Sequence, residues 1–216
     1  IFVIRESLMP DLLAVARDMK ERGWILKIED GYRTCEMQTE LGRKPEIFDM
    51  IVHSCWRETG GVKPSLEHVK KRSMVLVANY PYSGTHLMAA AVDISVFRID
   101  DGSEVSRGKP YLEMSEYTPM DCPFVSVEEY QNRMDITAIM ERHGFLHYPG
   151  EFWHYNKGDP LYHILMCSGE HAMYGPIHWN PVSGEITPYN DMASPLIPPN
   201  LLAENLKQSL ERLRLD

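Results

Sequence analysis

The chain has 216 residues, of which 44% are hydrophobic and 25% charged, a composition typical of a soluble globular protein with one well-buried core. Its formal net charge of −9 argues against a nucleic acid or an anionic membrane surface as the main partner. No apolar run approaches the roughly 20 residues that a membrane helix needs, so we expect no membrane span. The sequence predicts no particular oligomeric state.

The N-terminal third of the chain predicts helices separated by short strands. Ser7 is placed to cap a first helix, with Pro10 in its tolerated first turn and Gly23 at its end. Apolar spacing and turn residues predict four further elements: a strand over 24–30, a helix from a Thr34 cap to Leu41, a helix over 46–58 and a strand over 73–78.

The stretch 82–96 holds two possible metal ligands in an otherwise apolar, small-residue segment. His86 and Asp93 are seven residues apart, which in an extended chain is about 23 Å. The chain must therefore reverse between them if they share an ion, and the alanines at 89–91 are small enough to permit this. The alternation after the turn predicts a strand with Asp93 on the face opposite Val92.

The second half of the chain begins with a long segment, 100–124, that lacks periodicity. Loops of this length inside a compact domain are more often functional than idle. Ser126 and Glu129 form a capping box for a helix to about His143. We expect its buried face to carry Val127, Tyr130, Met134 and Ala138. Further predictions are strands over 145–148, 152–155 and 161–166, loops over 168–199, and a final helix capped by Asn200 with a leucine stripe over 202–213.

Three residues have the chemistry of a catalytic zinc site. His86, Asp93 and His154 would offer N, O and N ligands, which leaves a fourth position for water, and Glu151 stands near His154 as a candidate general base. The HExxH motif is absent. The alternative from the residues alone is a loop histidine, a hydrogen-bonded strand aspartate and a core edge. The four cysteines form no CxxC pair, and we expect reduced, semi-buried thiols.

Several separate motifs, in one order, resemble a known family. The chain is similar to the zinc D-alanyl-D-alanine dipeptidases of the vancomycin-resistance type, peptidase family M15, within the DD-peptidases related to the hedgehog fold. The matching segments, which lie within roughly residues 5–165, are the DGYR motif at 30–33, the SxHxxGxAxD pattern at 84–93, TPMD at 118–121, NR at 132–133, GF at 144–145 and the ExWH signature at 151–154.

This resemblance implies an α+β fold with a central, mostly antiparallel sheet flanked by helices. It implies a catalytic domain over 1–167, followed by an extension over 168–216 with loops and an amphipathic helix, packed on the same domain. The implied activity is hydrolysis of D-Ala-D-Ala or a similar small dipeptide with one zinc ion per chain. The alternatives are a carboxypeptidase or endopeptidase acting on peptidoglycan stem peptides, and an inactive zinc-binding module.

The resemblance also implies roles for individual residues. His86, Asp93 and His154 would bind zinc, Glu151 would be the general base, and Arg33 would stabilise the oxyanion of the tetrahedral intermediate. The expected substrate-binding residues are Asp121, Ser83, Tyr32 and Trp153.

The sequence departs from the family pattern at two positions of the first metal-binding motif. The family serine stands here as Gly84, with Ser83 one place earlier, which puts substrate specificity in question. The family glycine stands as Ala89, which is tolerated if its φ is negative. The chain shows no signal peptide, which favours the bacterial cytoplasm; because it does not begin with Met, export stays open.

Overall fold

The computed structural model describes residues 2–215, and a four-stranded antiparallel sheet forms its centre. Its strands, in spatial order β1-β2-β4-β3, are β1 (Trp24–Asp30), β2 (Ala91–Arg98), β3 (Leu146–His147) and β4 (His154–Asn156). A separate hairpin pairs β5 (Ile177–Trp179) with β6 (Ile186–Pro188). The α+β class with an antiparallel sheet is confirmed.

Seven helices of the described chain surround the sheet. They are α1 (Met9–Glu21), α2 (Cys35–Leu41), α3 (Pro45–Glu58), α4 (Leu66–Leu76), α5 (Val127–Arg142), α6 (Pro160–Leu165) and α7 (Pro199–Leu213). Residues of α1, α3, α5 and β2 bury their apolar side chains in one core. The leucines of α7 at 202, 206 and 210 share that core, so the C-terminal helix packs on the same body. Within residues 2–215, no helix is both long and apolar enough to cross a membrane.

Pairing of β1 with β2 is interrupted near the end of β1. The register is regular up to Ile28 opposite Ile94, and a shift then places Asp30 opposite Asp93. Such an irregularity bends the strand and redirects side chains. It brings two carboxylates together at the end of β1, next to the candidate site.

Two strand predictions are wrong because local caps create helices. Residues 73–76 end α4, which begins where the Ser65 hydroxyl accepts a hydrogen bond from the His68 amide, and 77–78 follow it without strand structure. Residues 161–165 belong to α6, whose first turn is capped by the Asp159 carboxylate. A short apolar run fits a strand or a buried helix turn equally well.

Several finer predictions also need correction. Ser7 and Asn200 cap no helix: α1 follows a 3₁₀ turn, and α7 begins at Pro199 after Pro198. The buried positions of α5 are Arg133, Ile136, Thr137, Ile139 and Met140, whereas Val127 is 88% exposed. The segment 168–199 contains the β5–β6 hairpin as well as loops. All four cysteines are free, and the one at 167 is exposed rather than semi-buried.

Candidate metal centre and active site

The turn that contains His86 places this histidine beside β2. His86 lies in a single 3₁₀ turn, Thr85–Met88, and Ala89 closes the turn in the left-handed conformation with φ of 54°. The condition given for tolerating an alanine at this position, a negative φ, is therefore not met. β2 starts two residues later and carries Asp93, which pairs directly with His154 on β4. One tight turn and one strand pair thus bring the three predicted ligands together.

The ligand atoms of these three residues form a nearly equilateral triangle. His86 Nε2 lies 3.2 Å from Asp93 Oδ1 and 3.2 Å from His154 Nδ1, and His154 Nδ1 lies 3.0 Å from Asp93 Oδ1. Ligands about 2.0–2.1 Å from a tetrahedral zinc ion stand about 3.3 Å apart. All three side chains are buried. The spacing therefore fits one zinc ion with a fourth position open.

The outer hydrogen bonds of the histidines support the same conclusion. His86 Nδ1 lies 2.6 Å from the Gly31 carbonyl oxygen, so it must donate its proton there and leave Nε2 unprotonated in the neutral ring. His154 Nε2 lies 3.0 Å from the Thr85 hydroxyl, which can accept a proton from it. In the neutral ring this tautomer leaves Nδ1 unprotonated, and it is the one that a metal ion at the triad would require. Three electron-pair donors then face one point, and a cation satisfies them.

The electrostatics of the triad favour positive charge at that point. Burial lowers the pKa of His86, which keeps its imidazole neutral and able to bind a metal. Burial also lowers the pKa of His154, but the hydrogen bond and charge of Asp93 outweigh this and the net shift is upward. Burial raises the pKa of Asp93, yet the two histidines and Arg33 hold it well below its usual range. The aspartate is therefore ionised and attracts a cation.

Glu151 lies beside the triad and borders a small cavity there. Its Oε2 is 4.0 Å from His154 Nδ1, and the residue is buried. Burial raises its pKa to about 8, an effect opposed by His154 and reinforced by Asp93. A carboxylate in this position can exchange a proton with a water molecule or substrate next to the triad.

Arg33 joins the two carboxylates that the irregular β1–β2 pairing brings together. Its Nε donates to Asp30 Oδ2 at 2.7 Å, its Nη2 to Asp93 Oδ2 at 2.7 Å and its Nη1 to Gln38 Oε1 at 3.3 Å. Burial lowers the pKa of Arg33, but the charges of Asp93 and Asp30 outweigh this effect and the net shift is upward. The guanidinium therefore stays charged. Arg33 therefore holds the outer oxygen of a candidate ligand and also borders the cavity.

The cavity at the triad is small and has a polar and an apolar side. Its volume is about 130 Å³, and its walls come from α2, α4, α6, the turn before His86 and the ExWH segment. The apolar side is formed by the side chains of Met74, Val75, Leu76, Ala78 and Leu161. Tyr148 completes the wall, and its hydroxyl donates to the Val75 carbonyl at 2.8 Å. A cavity of this size suits a small substrate.

The four expected substrate-binding residues lie in different places. Ser83 borders the cavity, with its hydroxyl bonded to the Tyr80 carbonyl at 3.0 Å. The Tyr32 hydroxyl donates to the Ile177 carbonyl at 3.0 Å, so this ring anchors β5 and does not line the cavity. Trp153 is buried in the core, and Asp121 is exposed and outside the cavity wall. Geometry therefore supports only Ser83 among the four.

Sequence reasoning missed three residues that surround the site. Thr85 contacts His154, and Gln38 accepts from Arg33. The Tyr111 hydroxyl donates to Asp93 Oδ2 at 3.0 Å. Position next to His86 could have suggested Thr85. Tyr111 carries no spacing signal, because it lies in the long irregular segment.

A second group of possible ligands lies on α3 and α4. It consists of Cys55, Glu58 and His68. There the glutamate is half exposed and already paired, with His68 Nε2 at 2.9 Å and Arg72 Nη2 at 3.3 Å. An arginine beside the cluster opposes a further cation. The triad of His86, Asp93 and His154 is the better metal site among the residues that the structure describes.

Comparison with known proteins points in the same direction. Residues 4–168 match the sequence model of a family described as D-ala-D-ala dipeptidase. A D-alanyl-D-alanine dipeptidase of Enterococcus faecium is 29% identical over 72% of this chain and 73% of its own length. One of Synechocystis sp. is 33% identical over 66% of this chain and 63% of its own length.

Among solved structures, a zinc-bound mutant of the vancomycin-resistance D,D-pentapeptidase VanY overlays with a TM-score of 0.45 at 17% identity. The overlay covers 71% of this chain and 72% of that protein.

A buried His-Asp-His triad with an adjacent carboxylate has the donor set of a catalytic metal site of the metallohydrolase type. The sequence match over residues 4–168 makes the assignment specific: the chain belongs to the D-alanyl-D-alanine dipeptidase family.

Proposed function

We propose that the protein hydrolyses D-Ala-D-Ala, or a closely similar small dipeptide, with one zinc ion held by His86, Asp93 and His154. The observation that carries this proposal is the triangle of three ligand atoms, 3.0–3.2 Å apart, that lies beside Glu151. When bound, zinc would supply a Lewis acid for the scissile carbonyl and lower the pKa of a coordinated water to about 7.

Glu151 is the proposed general base and later the general acid. Its Oε2 lies 4.0 Å from His154 Nδ1, and the side chain is shielded from bulk water. It takes a proton from the attacking water and delivers one to the nitrogen of the leaving D-alanine. Proton transfer by a positioned side chain contributes about 10²–10⁴-fold to such reactions.

Arg33 has two proposed tasks. Through Asp93 Oδ2 it fixes the orientation of a ligand carboxylate. Because its guanidinium also borders the cavity, the negative charge that develops on the substrate oxygen meets a fixed positive charge. Binding the pair of aspartates pre-orders the guanidinium, which then needs no reorganisation during the reaction.

The cavity supports a dipeptide better than a longer peptide. At about 130 Å³ it has the scale of a few side chains, whereas an extended stem peptide needs an open cleft. The apolar wall formed by α4 and α6 can receive the methyl groups of alanine. We further propose a reducing compartment, the bacterial cytoplasm, which is supported by four free cysteines.

The decisive test is release of D-alanine from D-Ala-D-Ala by the purified protein, before and after chelation and after addition of zinc. We expect activity that chelation removes and zinc restores. Glu151→Gln should keep one zinc per chain, measured by elemental analysis, and lose about 10²–10⁴-fold in kcat. Unchanged kcat in this variant would refute the assigned base.

Longer substrates distinguish the alternatives. Stem pentapeptides should be cleaved more slowly than the dipeptide, since they are larger than the cavity. A preference for the pentapeptide would replace the dipeptidase by a carboxypeptidase or endopeptidase. Zinc binding with no cleavage of either substrate would indicate a binding module.

A further inference from the structure

The long segment between β2 and α5 is fixed by a buried arginine although it lacks regular structure. Arg133, on α5, is wholly buried, and its guanidinium donates to four backbone carbonyls of this segment at 2.6–3.1 Å: those of Arg107, Tyr117, Pro119 and Met120. These bonds satisfy both the arginine and the loop backbone. The segment is therefore held in one conformation, and any side chain that it presents to the site has a defined position.

The side chain that it presents to the metal centre is Tyr111. Its hydroxyl lies 3.0 Å from Asp93 Oδ2, and its ring packs edge-on against Trp153 with centroids 5.7 Å apart. The phenol donates this hydrogen bond, because an ionised carboxylate can only accept. Trp153 precedes His154 in the chain, so the same ring also packs beside the segment of a second ligand.

The two oxygens of Asp93 are used differently. Oδ1 faces His86 Nε2 and His154 Nδ1. Oδ2 accepts from Arg33 Nη2 and from Tyr111. With two donors on the outer oxygen, the carboxylate cannot turn that oxygen toward an ion without breaking strong, charge-assisted contacts.

We infer that Tyr111 is a positioning residue of the metal centre, which, together with Arg33, restricts Asp93 to binding through one oxygen. This inference rests on the proposed function, since it presumes the zinc site. An aspartate bound through one oxygen keeps the tetrahedral arrangement and the open fourth position that catalysis requires. Outer hydrogen-bond partners of metal ligands typically contribute about 10–100-fold to metal affinity.

Tyr111→Phe tests this inference, because it keeps the ring against Trp153 and removes only the hydroxyl. Tyr117→Phe is the matched control: it lies in the same segment, and no hydrogen bond to its hydroxyl is described within residues 2–215. Zinc affinity is measured by competition with a chromophoric chelator. We expect Tyr111→Phe to bind zinc about 10–100-fold more weakly, and Tyr117→Phe to match the wild type.

Cobalt(II) substitution adds a readout of ligand geometry. The visible spectrum of the cobalt form should change in Tyr111→Phe and stay constant in Tyr117→Phe, because only the former removes one of the two donors to the outer oxygen of Asp93. Denaturation of the zinc-free variants checks that neither is globally unfolded. If wild-type protein binds zinc and Tyr111→Phe binds it within twofold with an unchanged cobalt spectrum, this inference alone is overturned. If wild-type protein takes up no zinc, the proposed function fails first.

Discussion

Substitution of Ala89 by glycine tests the geometry of the turn that leads from His86 to β2. Ala89 has φ of 54° and ψ of 30°, a left-handed conformation that costs a residue with a Cβ about 1–2 kcal/mol. Glycine removes this cost, but it also gives the unfolded chain more conformational freedom, which destabilises the folded state by about 0.4–1 kcal/mol. It also removes a methyl group packed near Tyr32 and Ile177, worth about 0.8 kcal/mol.

The three contributions nearly cancel for Ala89→Gly. We expect a free energy of unfolding within about 1 kcal/mol of the wild type. Ala90 is the control, because it is equally buried and is not among the described residues with positive φ. Ala90→Gly relieves no strain, so it should destabilise the protein by about 1.5 kcal/mol.

Urea unfolding of the zinc-free proteins measures both values without a contribution from metal binding. The difference between the two variants corresponds to about 3–6 °C in Tm for a chain of this size. Equal destabilisation by both glycines would refute the left-handed turn. It would also remove the structural reason for a glycine at this position in the family pattern.

Three further predictions concern the site and its supports. Arg33→Lys should lower kcat about 10²–10³-fold, because an ammonium cannot bridge Asp30 and Asp93 while facing the substrate oxygen; steady-state kinetics with kcat within twofold of wild type would contradict this. Arg133→Met should destabilise the protein by about 3 kcal/mol or more in urea unfolding, since it leaves buried carbonyls unsatisfied; a loss below 1 kcal/mol would contradict the anchoring of the irregular segment. Chelation should lower Tm, because zinc at about 1,000 times its Kd stabilises the folded state by about 4 kcal/mol; calorimetry showing no change would argue against zinc binding.

Local signals in the sequence predicted the elements that depend on neighbouring residues. The capping box at Ser126 and the cap at Thr34 are both formed as predicted, with Thr34 Oγ1 accepting from the Met37 amide. The alternation around Asp93 correctly predicted β2 and the face on which the carboxylate lies. Motif order also placed His86 and His154 at the same point, which spacing alone left open.

Features that depend on distant packing could not be predicted in this way. The buried face of α5 includes Arg133, which hydropathy assigns to the surface, because its charge is satisfied by loop carbonyls far along the chain. The apolar run at 73–78 lacks any pattern that separates a strand from the end of a helix. Tyr111 reaches Asp93 only because the irregular segment between β2 and α5 folds back against β2. No periodicity in the sequence predicts such a contact.

The register shift that sets Asp30 opposite Asp93 ties the shape of β1 to the orientation of a proposed metal ligand. Arg33 bonds to both aspartates, so a change in the backbone at the shift would move the carboxylate that Arg33 holds. The offset between two strands is thus part of the proposed metal site, although β1 supplies none of the three ligands.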